Sequence, residues 1–186
     1  TVTTSSGENS FIRLHTVEDA PHTSRASHWR VDFSPGGQGH ALFLKSDLTG
    51  DKVRIYSDNI AVARWLQEEI ECFLFPEFAD VNIPVIDAVF SKSGDATFSW
   101  NEAIESEDDT VLMTWYDFID SFIVHTQPDT AGGRPLGVCT VMIPAQRAQL
   151  TLNGAVAQGK PHPEPRGDRT TSTACLALSE SWLRPR

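Results

Sequence analysis

Ile83-Pro84-Val85-Ile86-Asp87-Ala88-Val89-Phe90, Phe98-Ser99-Trp100-Asn101-Glu102 and Val111-Leu112-Met113-Thr114-Trp115-Tyr116-Asp117-Phe118 are successive runs rich in β-branched and aromatic residues. Such runs, separated by Gly, Ser and Asp, predict consecutive strands joined by hairpins. Strand side chains alternate, so residues of one parity share a face. A two-residue turn at Ser93-Gly94 or Gly94-Asp95 sets Val85, Asp87 and Val89 beside Phe98, Trp100, Glu102 and Ile104. An even-length loop within Glu107-Asp108-Asp109 adds Val111, Met113, Trp115 and Asp117 to that face. It is apolar except for its carboxylates.

Burying an unpaired carboxylate is costly, so such groups take a partner, hold their proton or serve a site. Asp87, Glu102 and Asp117 are therefore candidate catalytic acids. The bland alternative is a sheet-end position, or a register displaced by one residue, which turns the set toward water.

Outward from this stretch the same pattern continues. Trp29–Phe33, His40–Leu44 and Lys52–Tyr56 read as strands, with Phe11–His15 as a short edge strand and Pro21–Ser27 as a loop. Gly36-Gly37-Gln38-Gly39 lacks the spacing and the following helix of a phosphate-binding loop, so it is a turn. Asn59 to Leu74 is the one helix, with Val62, Leu66, Ile70 and Phe73 on its apolar side and Glu68, Glu69 and Glu71 on a solvated one. It packs on the sheet or lids a barrel mouth. Phe122–Thr126 brings His125 to the carboxylate face if the strand continues or turns through three residues. A loop follows over 127–135, then strands at Gly137–Ile143 and Ala148–Leu152 before the hairpin signal Asn153-Gly154. The prolines of Lys160–Arg169 argue for an exposed loop, in which Arg166-Gly167-Asp168 is coincidental. In Thr173–Leu183, Leu176, Leu178, Glu180 and Trp182 share a face, again placing an acid among large apolar groups.

The expected architecture is a mainly β, single-domain antiparallel barrel or sandwich of about nine or ten strands with one helix inserted over 59–75. Its barrel form resembles the lipocalin-like shape, although no motif of that family is present. Residues 1–10 are expected to be a flexible lead and 11–186 the barrel domain, since 186 residues at 40% hydrophobic support one sizeable core.

A net charge of −10 and a pI near 4.9 argue against nucleic acid or anionic membrane as partners. No apolar run reaches the roughly 20 residues of a bilayer-spanning helix. Three scattered cysteines suit inert thiols in a reducing cytoplasm, and a chain starting at Thr1 is compatible with a removed leader.

Two functions follow from the pattern. The first is a cofactor-independent enzyme of lyase, isomerase or hydrolase type. Asp87, Glu102, Asp117, Glu180 and His125 supply acid and base groups, because apolar walls separate carboxyl pKa values into donor and acceptor roles. Phe98, Trp100, Met113, Trp115 and Trp182, with Tyr116 beside Trp115, hold an apolar or aromatic substrate. The second is a binding protein for a small hydrophobic or aromatic ligand at the same pocket. A metal held by His125 with Glu102, Asp117 or Glu180 lacks any supporting His spacing, and a homodimer is left open by the sequence.

Overall fold

The computed structural model describes residues 1–129 and 134–186, so part of the expected 127–135 loop lies outside the described residues. The chain is mainly β, 59% strand against 12% helical, which places it far from a helical bundle. Its strands are β1 (Val2–His15), β2 (His22–Phe33), β3 (Gly39–Ser46), β4 (Val53–Ser57), β5 (Val85–Asp87), β6 (Val89–Gly94) and β7 (Ser99–Glu105). They continue as β8 (Thr110–Phe118), β9 (Phe122–Thr126), β10 (Gly137–Leu152), β11 (Ala155–Val156), β12 (Pro163–Arg166), β13 (Arg169–Ser172) and β14 (Ala174–Arg184). Ten of them follow one sheet path, β5-β4-β3-β2-β1-β14-β10-β8-β7-β6.

The two ends of that path are neighbours in sequence. β5 pairs in parallel with β4, β6 pairs antiparallel with β7, and only buried Ala88 separates them. The Ala88 amide donates to the Ser57 carbonyl at 3.1 Å. Because one strand-like run serves both edges, the sheet curls into a nearly closed barrel.

Its interior is one apolar cluster drawn from strands on all sides, including Ile12, Leu42, Tyr56, Trp100, Ile104, Met113, Trp115 and Leu176. A second cluster lies on the outer face. There Trp29, Phe43 and Ile55 pack against Val62, Leu66 and Ile70 of the helix. The helix therefore flanks the barrel and does not lid its mouth.

That helix begins as expected. Asn59 caps α1 (Ile60–Leu66) by accepting from the Ala61 amide at 3.0 Å. It then passes through a π-helical turn (Gln67–Glu71), in which the Cys72 amide reaches back to the Gln67 carbonyl, before a final turn Cys72–Leu74. The wider turn advances the phase of the helix. Glu71 is consequently fully buried, against the expected solvated face, and Phe73 is half exposed. Leu66 has no exposed surface and Glu68 is exposed. Leu66→Ala is expected to cost about 2–5 kcal/mol. Glu68→Ala should stay within about 0.5 kcal/mol. Urea unfolding checks both, and equal costs would contradict this packing.

Other expectations need correction. Residues 2–10 are no flexible lead, because they pair with both β2 and β14, so β1 is also no edge strand. Residues 22–27 belong to β2 instead of a loop. Prolines 163 and 165 sit in a two-stranded ribbon, β12 with β13, where no further strand needs their missing amides. Arg166-Gly167-Asp168 falls at its turn. Asn153-Gly154 does turn β10 into β11, both residues adopting positive φ.

Candidate functional site

The register decides which acids face inward. The expected two-residue turn after β6 is replaced by a wider one. Asp95 accepts from the Thr97 and Phe98 amides at 2.7 and 2.9 Å, and Gly94 pairs with Trp100. Gly94 adopts φ 82°, where a Cβ would lie 2.0 Å from the Ser99 carbonyl oxygen. Phe90 and Lys92 therefore join Ile104 and Glu102, in place of Val89 and Asp87.

Asp87 is exposed and Val89 is 70% exposed. Phe98 lies in the turn and is 79% exposed. The β7–β8 register holds as expected, with Trp100 opposite Trp115 and Glu102 opposite Met113 on the inner face. Asp117 leaves that face because its φ is +55°, which ends the alternation. It is exposed and ion-paired with Arg147, whose guanidinium also covers Tyr116 on the outer surface at 4.5 Å. His125 is exposed and contacts the Gln127 amide at 2.8 Å.

Glu102 thus stays in the barrel without Asp87, Asp117 or His125. It is 1% exposed and accepts from the Trp100 indole at 2.9 Å. Burial raises its pKa, opposed by the Trp100 hydrogen bond and the Arg30 charge. His28 stands 3.5 Å away, but burial, then Arg30 and His40, push its pKa down to about 3, so it is uncharged. Arg30, 3.4 Å from Glu102 and 2.8 Å from Glu8, supplies the compensation. This cluster lies in a filled barrel, with His28 Nε2 buried and without a hydrogen-bond partner among the described residues.

Glu180 and Trp182 are elsewhere. Ser179 adopts φ +52°, and this kink moves both residues off the Leu176 and Leu178 face to the outer side. There they help line a cavity of about 240 Å³ between the sheet, the end of the helix and β9. Its walls are mostly apolar: Phe11, Phe75, Val124, Val138, Met142 and Trp182. Ser27, Thr140 and Glu180 give it polar points, and Arg13, Arg134 and Arg166 border it.

Two buried carboxyls belong to this region. Glu180 is 4% exposed and accepts from the Trp182 indole at 2.6 Å. Burial pushes its pKa up to about 8, against the Trp182 and Thr140 hydrogen bonds and the Arg134 charge, with the Glu71 charge adding to the rise. Glu71 Oε1 accepts from the Ser27 hydroxyl at 2.5 Å and the Trp29 indole at 2.6 Å, while its Oε2 is buried without a partner among the described residues. Burial pushes its pKa up to about 7. Ser27, which also accepts from the Asn9 amide at 3.0 Å, stands between Glu71 and the cavity. A neutral acid on the wall and a titratable acid behind a hydroxyl can donate and accept protons near neutrality.

Of the expected site residues, the structure brings only Glu180 and Trp182 together at a cavity. Trp100, Met113 and Trp115 are barrel core. Sequence reasoning misses Glu71, because nothing in Gln67–Glu71 signals the π turn, and Ser27, Arg134 and Arg166, because their strands are not recognised or their loops converge only in the fold. Among the described residues no cluster of three or more His, Cys, Asp or Glu could hold a metal ion, and His125 is exposed whereas Glu102 and Glu180 are buried. No helix there is long and apolar enough to cross a membrane. No protein family model, curated protein or solved structure matches the chain.

Proposed function

We propose that the outer cavity binds a small, mainly apolar molecule and that the chain acts on it by general acid–base chemistry without a cofactor, as a lyase, isomerase or hydrolase. The observation that carries this reading is Glu180, a fully buried carboxyl on an apolar wall. Kept neutral at pH 7, it donates a hydrogen bond or proton to a bound carbonyl or hydroxyl. Ser27 passes a proton to Glu71, the acceptor of the pair. The noncatalytic alternative, a binding protein, is favoured by one fact: Glu71 reaches the cavity only through Ser27.

Deuterium uptake from D₂O into small enolisable ketones such as phenylacetone, followed by NMR, separates them. The acid–base reading expects uptake by the wild type, slowed by about 10²-fold or more in Glu180→Gln with ligand binding kept. Binding without uptake supports the binding protein. If no such ketone binds, the cavity has been misassigned.

A further inference from the structure

The arginines around the cavity are unequally matched. Arg13 is paired with Glu164 at 2.6 Å. Arg134 and Arg166 make no side-chain hydrogen bond or ion pair with any described residue, although the chain carries 25 acidic residues against 15 Lys and Arg. Arg134 is half-buried, with its guanidinium 5.8 Å from the centre of the Trp182 ring. Burial and then the charge of Arg166 lower its pKa, opposed by the charge of Glu180 on the cavity wall, so the two cations repel one another across the rim and Glu180 offsets this only in part. A half-buried guanidinium with no hydrogen-bond acceptor among the described residues is costly, and a neutral Glu180 does not offset it.

We infer that the ligand of this cavity is a compact amphipathic carboxylate, its acid group held by Arg134 and Arg166 and its apolar body against Phe11, Val138 and Trp182. This rests on the binding reading above and names the ligand class. The planar guanidinium fork matches a carboxylate with two parallel hydrogen bonds. A cavity below the roughly 300–1,000 Å³ of drug-sized pockets limits the body to one ring or a short chain. Glu180 complements this arrangement when it is neutral, because its proton faces a second ligand oxygen and adds no repulsion to the anion.

Isothermal titration of the full chain with phenylacetate, 2-phenylethanol and inorganic phosphate tests the assignment. Phenylacetate should bind tighter than 2-phenylethanol by about tenfold or more, as expected for a charge-assisted pair. The double substitution Arg134→Gln with Arg166→Gln should abolish that preference and leave 2-phenylethanol affinity unchanged. Equal wild-type affinities for the acid and the alcohol would overturn the carboxylate inference and leave the apolar cavity standing. Binding of neither would overturn both. Inorganic phosphate binding as tightly as phenylacetate would mark a site for free anions, and the amphipathic assignment would fall.

Discussion

Raising the pH above neutrality is expected to destabilise this protein, and Glu180→Gln should remove much of that loss. Glu180 keeps its proton up to about pH 8 and Glu71 up to about 7, against an ordinary value of 4.5 for each. In the unfolded chain both are ionised well below those values. The folded state therefore binds more protons through the window from 4.5 to about 8. The stability contributed by the neutral acids is full below that window and is lost as the pH rises through it. The slope is on the order of 1.4 kcal/mol per pH unit for each group while both effects act.

His28 works in the opposite direction at lower pH. Its pKa, held near 3 against 6.5, adds stability above 6.5 that is lost as the pH falls toward about 3. Urea unfolding at several pH values should show wild-type stability falling from pH 6 to 9, by an amount on the order of a few kcal/mol. Glu180→Gln should be flatter and more stable at the alkaline end, since glutamine keeps an acceptor for the Trp182 indole without a charge. A wild type with no alkaline slope would mean that water reaches both carboxyls.

The second large effect separates scaffold from site. Trp115→Ala should cost about 3–5 kcal/mol, because a large ring with no exposed surface leaves a cavity in the barrel interior. Its indole also donates to the Phe11 carbonyl at 3.0 Å, tying β8 to β1 across the barrel. Trp115→Phe, which loses that bond but keeps most of the volume, should cost less and leave binding of phenylacetate intact. Chemical denaturation and calorimetry give the two readouts. If the phenylalanine variant folded normally yet lost the ligand, the barrel interior would hold the site after all.

How much of this was legible in the sequence can be argued residue by residue. Alternation within single strands was readable, so Trp100, Glu102, Met113 and Trp115 share a face as expected. The even β7–β8 loop preserved that agreement across two strands. Failures occur where the backbone leaves the ideal repeat. Asp95 widens one turn, Ser179 and Asp117 take positive φ, and a π turn rotates Glu71 inward. Each is a local departure of one or two residues, and each changes which neighbouring side chains face inward. The theme of an indole beside a buried acid was visible in Trp100-Asn101-Glu102 and Glu180-Ser181-Trp182. The third instance, Trp29 with Glu71, joins residues 42 positions apart and had no local signal.

The order of the sheet path has a further consequence. Residues up to Asp87 form β5 through β1, and residues from Val89 onward form β14 through β6, so the barrel is two half-shells. They meet along the β1–β14 ladder, where Val2 faces Arg184, are joined in sequence at Ala88, and touch through side-chain contacts such as Arg54 with Asp109. Each half can zip from nearby hairpins, whereas the ladder joining them brings together residues from opposite ends of the chain and carries the largest loop-closure cost. The outer cavity straddles this seam, with Phe11 and Ser27 on one half and Val138 and Trp182 on the other. On the proposed binding function, a molecule held there would act as a clasp. Occupancy and docking of the half-shells would then be thermodynamically linked, and ligand concentration would become a means of holding the barrel shut.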